Sequence, residues 1–178
     1  EEERKRYRGK SLKDQIKGFK QDFKLDIDEE KYYRDFEGYK GEEIKKIDKS
    51  LELIELLKFL QKSNIKIALA TSSPRERALR ILNKLAVANF FQVIVTSEDV
   101  HIGKPAPYIF LETSKKLEVK PAECVVIEDA INGITAARNA GMTAVVLENN
   151  HFKAEDFKHA HHRIKVLPEI RELVFEFV

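Results

Sequence analysis

The sequence predicts an α/β protein, a doubly wound parallel sheet joined to a small helical cap. Three observations lead to this fold class. From residue 51 onward, short apolar runs alternate with amphipathic stretches, and the links between them are short. The apolar runs are almost unbroken, as in parallel strands that are covered on both faces. Residues 1–48 differ, because they are highly charged and contain no strand-like run.

The elements of the α/β part follow one another regularly. The first is a helix at 51–62, where Leu53, Leu57 and Leu60 share one face and Ser50 is a suitable N-cap. The predicted order then continues with a strand at 65–70, a helix at 75–86, a strand at 91–96, a helix at 108–117, a strand at 124–128, a helix at 131–141 and a strand at 143–148. We therefore expect residues 49–178 to form one α/β core with parallel strands and helical crossovers.

Residues 1–48 are interpreted as a partial helical cap subdomain. Scattered aromatic residues supply anchors for its packing: Phe19, Phe23, Tyr32, Tyr33, Phe36 and Tyr39. The boundary with the core is expected near residues 44–49. The chain begins with glutamate and its only methionine is Met142, so we expect a processed or truncated N-terminus.

Composition argues against several classes of partner. The chain has 32 basic and 30 acidic residues and a formal net charge of +2, which is not the footprint of a nucleic-acid-binding protein. No apolar run approaches the ~20 residues of a membrane span. The only cysteine, Cys124, is expected to be a small buried hydrophobe. We expect a cytoplasmic protein that is a monomer or a weak dimer.

Polar residues follow three of the predicted strands. Thr71 and Ser72 come after the first strand, Lys104 lies in a Gly-Lys-Pro turn after the second, and Glu128 and Asp129 end the third. Taken alone, each group can be explained by a purely structural role, as a helix cap, a surface turn or a pair of capping acids. The carboxyl ends of parallel strands meet at one edge of a sheet, however, and ligands bind there. Hydroxyls, a lysine and two carboxylates together suit a phosphate and a hard cation.

These segments resemble a known family. The stretches ALATSS, GKPAPYIFL and VVIEDAINGITAARNAGM are similar to motifs two, three and four of the haloacid dehalogenase superfamily. The resemblance is closest to its β-phosphoglucomutase-like phosphatase branch, which has a Rossmann-like core and a small helical cap. It is strong over residues 48–150 and weak over residues 8–47, where YRGKSLKDQI is similar to a cap segment of that branch.

The resemblance implies a reaction and a role for each site residue. Glu128 and Asp129 would hold Mg²⁺, which removes the repulsion between two adjacent carboxylates. Thr71 would hydrogen-bond the substrate phosphate with help from the backbone N–H of Ser72, and Lys104 would balance the charge of phosphate and nucleophile. The implied activity is a Mg²⁺-dependent phosphatase that acts through an aspartyl-phosphate on a small phosphorylated metabolite such as a sugar phosphate. A phosphomutase of the same branch and a non-catalytic binding module are the alternatives.

One departure from the family concerns the nucleophile. The first motif of the family, Asp-x-Asp-Gly on a central strand, is not found in this sequence. Asp26 and Asp28 have the spacing but lack a preceding apolar strand and the glycine, so we interpret them as solvated or capping acids. The strands at 65–70 and 124–128 should flank the position of that central strand, and we expect them not to pair with each other.

Smaller departures concern specificity and local hydrogen bonding. Tyr108 stands where the family usually has aspartate, and Ala130 stands where serine is common. Leu12 occupies the position of an arginine that grips a second phosphate group in the mutase, which favours a phosphatase.

Two other clusters are interpreted without a function. His159, His161 and His162 have spacing that suits a transition metal, but an exposed charged loop is the preferred interpretation. Four arginines on predicted helices are interpreted as solvent-facing: Arg75, Arg77, Arg80 and Arg138.

Overall fold

The computed structural model describes residues 5–177, which form an alternating α/β chain preceded by two further helices. The helices are α1 (Leu12–Phe23), α2 (Glu29–Lys45), α3 (Leu51–Lys62), α4 (Arg75–Leu85), α5 (Tyr108–Leu117), α6 (Ile131–Asn139) and α7 (Ile170–Phe177). The strands are β1 (Ala68–Ala70), β2 (Val93–Val95), β3 (Val125–Glu128), β4 (Thr143–Leu147) and β5 (His162–Ile164).

Local sequence signals explain where several helices begin and end. Ser50 caps α3 by accepting a hydrogen bond from the backbone N–H of Leu53 at 3.2 Å, as predicted. Asp28 caps α2 by accepting from the backbone N–H of Lys31 at 3.0 Å, which confirms its interpretation as a capping acid. Gly141 follows α6 with φ of 73°, a left-handed conformation that glycine adopts at little cost.

All strand pairs are parallel, and they form two sheets. β1 pairs with β2, whereas the second sheet has the order β3-β4-β5. β1 and β3 therefore belong to different sheets and have no pairing with each other among the residues described, as the sequence led us to expect. The predicted α/β class is confirmed, although the strands at β1 and β2 are shorter than the apolar runs that predicted them.

Helices cover both faces of the strands, which makes the fold doubly wound. Successive residues of β4 show this, since Val146 packs into a first apolar cluster and Val145 into a second. The first cluster contains residues of α5 and α6, including Ile109 and Ile134. The second contains Leu57 of α3 and residues of α4 and α7. The strand ends are therefore the parts of the core left open for a ligand.

Two elements near the C-terminus were not predicted. β5 and α7 extend the α/β alternation beyond residue 148. Placing His162 in a charged loop was therefore wrong, because it lies in β5 beside β4. His159 and His161 are exposed, as expected. Cys124 is only partly buried, against the first apolar cluster, and burial raises the pKa of its thiol.

The two N-terminal helices lie at the mouth of the core. Leu12 and Ile16 of α1 are buried, and the ring of Tyr7 packs close to Gly18. The division into a cap and a core remains a prediction. None of the helices between residues 5 and 177 combines the length and the apolar character that a membrane crossing needs.

Candidate active site

The five predicted site residues line one cavity. Its volume is ≈ 800 Å³, and its walls come from the ends of β1 and β3 and from the N-terminal helices with the segment before them. Thr71, Ser72, Lys104, Glu128 and Asp129 all contribute to these walls. The structure thus brings residues that follow three separate strands to one cavity.

Thr71 and Ser72 follow β1 directly. The backbone N–H of Thr71 donates to the carbonyl of Val95 at 2.9 Å, which fixes the chain beside β2. The hydroxyl oxygen of Thr71 accepts from the backbone N–H of Ser73 at 3.1 Å. The hydroxyl of Ser72 donates to the carbonyl of Gly9 at 2.6 Å, so this side chain holds the N-terminal segment on the core.

Lys104 is the buried cation of the site. Its side chain is only 5% exposed, and its ammonium donates to the carbonyl of Ala70 at 3.2 Å and to the carboxylate of Glu128. The ammonium also lies 4.8 Å from the ring centroid of Phe110. A buried ammonium needs such partners, because an unpaired charge in a protein interior costs several kcal/mol.

The two carboxylates at the end of β3 have different surroundings. Glu128 is paired with Lys104, which removes the repulsion that two adjacent carboxylates would otherwise feel. Asp129 is exposed, and its carboxylate has no hydrogen bond or ion pair to any residue in the described range 5–177. Its backbone is held by Asn149, whose side chain donates to the carbonyl of Asp129 at 2.7 Å. The free oxygens of Asp129 are thus available to a ligand.

Gly133 leaves the space that Glu128 fills. A Cβ atom at this position would overlap the carboxylate of Glu128, so any larger residue would push that carboxylate away. The glycine lies in the first turn of α6, directly after the two acids. The sequence motif therefore includes the glycine for a steric reason.

The donor set fits Mg²⁺ better than a transition metal. No group of three or more His, Cys, Asp or Glu side chains that could hold a metal occurs in the described part of the chain. Mg²⁺, however, is usually bound through one or two carboxylates together with substrate phosphates. Glu128 and Asp129 meet that requirement, and the three C-terminal histidines do not assemble into a site.

The interpretation of Arg77 as a solvent-facing residue was wrong. Arg77 is 8% exposed and lines the cavity from α4. The helical pattern contained a signal for this, since Arg77 lies four residues before Ile81 and thus beside the apolar stripe of α4. Arg80, three residues further along α4, is exposed as expected.

Comparison with known proteins identifies the family. The haloacid dehalogenase-like hydrolase family matches residues 1–147 of this sequence. The chain therefore belongs to that family, as the motifs after β1, β2 and β3 had indicated.

Individual relatives point to its phosphatase and mutase members. The chain is 41% identical over 91 residues to the phosphorylated carbohydrates phosphatase of Thermotoga maritima, covering 51% of this chain and 42% of that protein. It is 48% identical over 90 residues to the β-phosphoglucomutase of Bacillus subtilis, covering 51% and 39%. The chain thus spans less than half the length of these two curated relatives.

A solved structure extends the similarity to most of the described chain. The crystal structure of a hydrolase from Pseudomonas syringae superposes with a TM-score of 0.85 at 28% identity, covering 97% of this chain and 81% of that one. The N-terminal helices and the α/β part therefore share the arrangement of a solved hydrolase.

Proposed function

We propose that this protein is a Mg²⁺-dependent phosphatase that releases phosphate from a small phosphorylated carbohydrate through an aspartyl-phosphate. The observation that carries the proposal is the convergence of Thr71, Lys104 and Asp129 on one cavity at the strand ends. These groups act on charge that develops on phosphoryl oxygens, and phosphoryl transfer depends mainly on positioning and electrostatics. The names of the phosphatase relatives support the reaction class.

Each residue has a proposed part in binding the phosphate. The hydroxyl of Thr71 and the backbone N–H of Ser72 hydrogen-bond its oxygens. The ammonium of Lys104, already desolvated, neutralises the charge shared between the phosphate and the attacking carboxylate. Glu128 keeps Lys104 in place through their ion pair.

Glu128 and Asp129 would hold the metal ion. When bound, Mg²⁺ supplies Lewis-acid charge that stabilises the phosphoryl group during transfer. The carboxylates that line the described cavity are these two only, so we propose that the nucleophilic aspartate comes from a strand placed between β1 and β3.

The similarity to a β-phosphoglucomutase raises phosphate transfer between sugar positions as a second candidate. Leu12 argues against it, because this side chain is buried in the N-terminal helices where the mutase has a phosphate-gripping arginine. Release of phosphate to water is therefore preferred.

Two substitutions test the proposal in the full-length protein. Asp129→Asn should weaken Mg²⁺ binding, measured by calorimetric titration, and reduce phosphate release to background. Lys104→Ala should lower kcat/KM by about 10²–10³, as loss of a charge-stabilising group does in other enzymes. Asp35→Asn, which replaces an exposed acid on α2, is the control and should change neither quantity. Unchanged Mg²⁺ binding and turnover in Asp129→Asn would overturn the assignment.

A further inference from the structure

The charges around the cavity are distributed unevenly. Two carboxylates line it, Glu128 and Asp129, and both belong to the end of β3. The cations that line it are Arg8, Lys10, Lys40, Arg77 and Lys104. Since Lys104 is paired with Glu128, four further cations surround the rest of the cavity, where no described carboxylate contributes to the lining. The proposed phosphate and metal sites at the strand ends do not use these four cations.

Arg77 is the most deeply buried of these four cations. Its guanidinium nitrogen Nη1 lies 3.5 Å from Oε1 of Glu37, which is too long for a good hydrogen bond. Nε of Arg77 and Oε1 of Glu37 are both buried without a hydrogen-bond partner in the described structure. A buried guanidinium with unfilled donors is costly, and a bound anion would relieve that cost.

Lys40 lies near the same point of the wall. The guanidinium carbon of Arg77 is 5.4 Å from the ring centroid of Phe36, and the ammonium of Lys40 is 5.6 Å from that same centroid. Phe36 comes from α2 and Arg77 from α4, so the pair of cations bridges the N-terminal helices and the core. Both cations therefore pack near one aromatic ring of the cavity wall, where they supply positive charge to an anionic group in the cavity.

We propose that Arg77, with Lys40, forms a second anion subsite that binds an acidic group of the substrate other than the phosphate being released. The preferred substrates would then be phosphorylated sugars that carry a second acidic group, either another phosphate or a carboxylate. This inference rests on the proposed phosphatase function. Arg77 and Lys40 are different positions from Leu12, which occupies the place of the phosphate-gripping arginine of the mutase.

Glu37 gives the subsite a distinctive test. Its carboxylate is the anion nearest to Arg77 in the structure, and it would compete with an acidic substrate group. Removing its charge should therefore improve binding of such substrates, whereas removing the charge of Arg77 should weaken it. If the pair were only a structural ion pair, both substitutions would impair the protein in the same direction.

The experiment measures phosphate release from matched substrates by the full-length protein. The pairs are glucose 6-phosphate with 6-phosphogluconate, and fructose 1-phosphate with fructose 1,6-bisphosphate, so that the carboxylate and the second phosphate are tested separately. The wild-type protein should prefer the doubly acidic member of at least one pair. Arg77→Gln should reduce that preference by roughly tenfold to a hundredfold, mainly through KM, as loss of a charge-assisted hydrogen bond does. Glu37→Gln should increase it.

Arg80→Gln is the matched control, since Arg80 is an exposed arginine of the same helix outside the cavity lining. It should leave the preference unchanged. Hydrolysis of all four esters without any preference, or parallel losses in Arg77→Gln and Glu37→Gln, would overturn the subsite while leaving the phosphatase proposal intact. No hydrolysis of any ester by the wild-type protein would instead overturn the proposed function and the subsite with it.

Discussion

At the scale of single residues, the contact between Gly133 and Glu128 affects both stability and activity. Gly133→Ala should force the flexible carboxylate of Glu128 away from Lys104 while leaving α6 intact. Alanine also favours a helix over glycine by up to about 1 kcal/mol. Loss of the buried ion pair with Lys104 outweighs this gain, so we expect a lower Tm together with a loss of about tenfold or more in kcat/KM. Thermal unfolding and phosphate-release assays on the same preparation test this.

The control for this substitution is Gly38→Ala. Gly38 is also helical, but a Cβ atom there would meet no atom within 4 Å. It should stabilise α2 by about 0.5–1 kcal/mol and leave activity as it is. Equal activity in Gly133→Ala and Gly38→Ala would show that the position of the Glu128 carboxylate does not matter for the reaction.

Asp99 gives a prediction about pH. Burial raises the pKa of its carboxyl, but hydrogen bonds from Thr96 and Lys116 and the charge of Arg75 outweigh burial and hold that pKa well below its usual value. A carboxyl with a lowered folded-state pKa stabilises the protein above its unfolded pKa of about 3.9, and this contribution disappears as the pH falls towards the folded pKa.

Asp99→Asn should therefore lower the free energy of unfolding by about 2 kcal/mol at pH 7, with a smaller difference from wild type at each pH below about 4. Urea unfolding at several pH values measures the difference. Glu155→Gln, which changes an acid in an exposed ion pair, should show almost no difference at any pH. A difference for Asp99→Asn that stayed constant from pH 7 to pH 3 would contradict the role of its ionised form.

At the scale of elements, periodicity predicted the helices and strands between residues 51 and 148, because each has a clear apolar pattern. β5 was missed because only three residues pair, and its HRI sequence has no apolar run. Arg77 was missed for a different reason. Because Arg77 is charged, it was predicted to face solvent. Its burial depends on Phe36 and Glu37 of α2, which lie far away in sequence. The strand-end residues could be predicted because topology alone brings them together.

Besides an ion pair between Lys5 and Asp156, two polar side chains of the core hold the backbone of the segment before α1. Asn132 of α6 donates to the carbonyl of Arg6 at 3.1 Å and to that of Arg8 at 2.6 Å. Ser72 donates to the carbonyl of Gly9. These bonds hold the wall that contributes Arg8 and Lys10 to the cavity.

Asn132→Ala should release this segment locally without unfolding the core. Loss of two hydrogen bonds, each worth about 0.5–1.5 kcal/mol, should speed trypsin cleavage after Arg8 by roughly tenfold. Asn139→Ala is the control, since Asn139 lies on the same helix but donates to Pro105 instead. Equal cleavage rates in the two variants would show that Asn132 does not hold the segment.

At the scale of the whole molecule, β1 and β3 each have one edge without a strand partner among the residues described. Hydrogen bonding alternates along parallel strands, and Cys124 bonds towards β4 while Ile67 and Thr71 bond towards β2. The backbone groups of Ala68 on β1, and of Val125 and Ile127 on β3, therefore point away from the strand partner that each strand already has. Ile127 is 38% exposed although it lies within β3. Such edges bind another strand readily.

We predict that a strand supplied by residues outside this sequence pairs with both edges in the full-length protein. Each backbone group left unpaired in a buried position costs about 1–3 kcal/mol, and several of them would approach the ~5–15 kcal/mol net stability of a domain. Hydrogen exchange should therefore protect the amides of Ala68, Val125 and Ile127 as strongly as that of Val145 in the middle of β4. Rapid exchange at all three amides, or direct pairing of β1 with β3, would rule out the inserted strand. It would also remove the place proposed for the nucleophile and favour a non-catalytic binding protein.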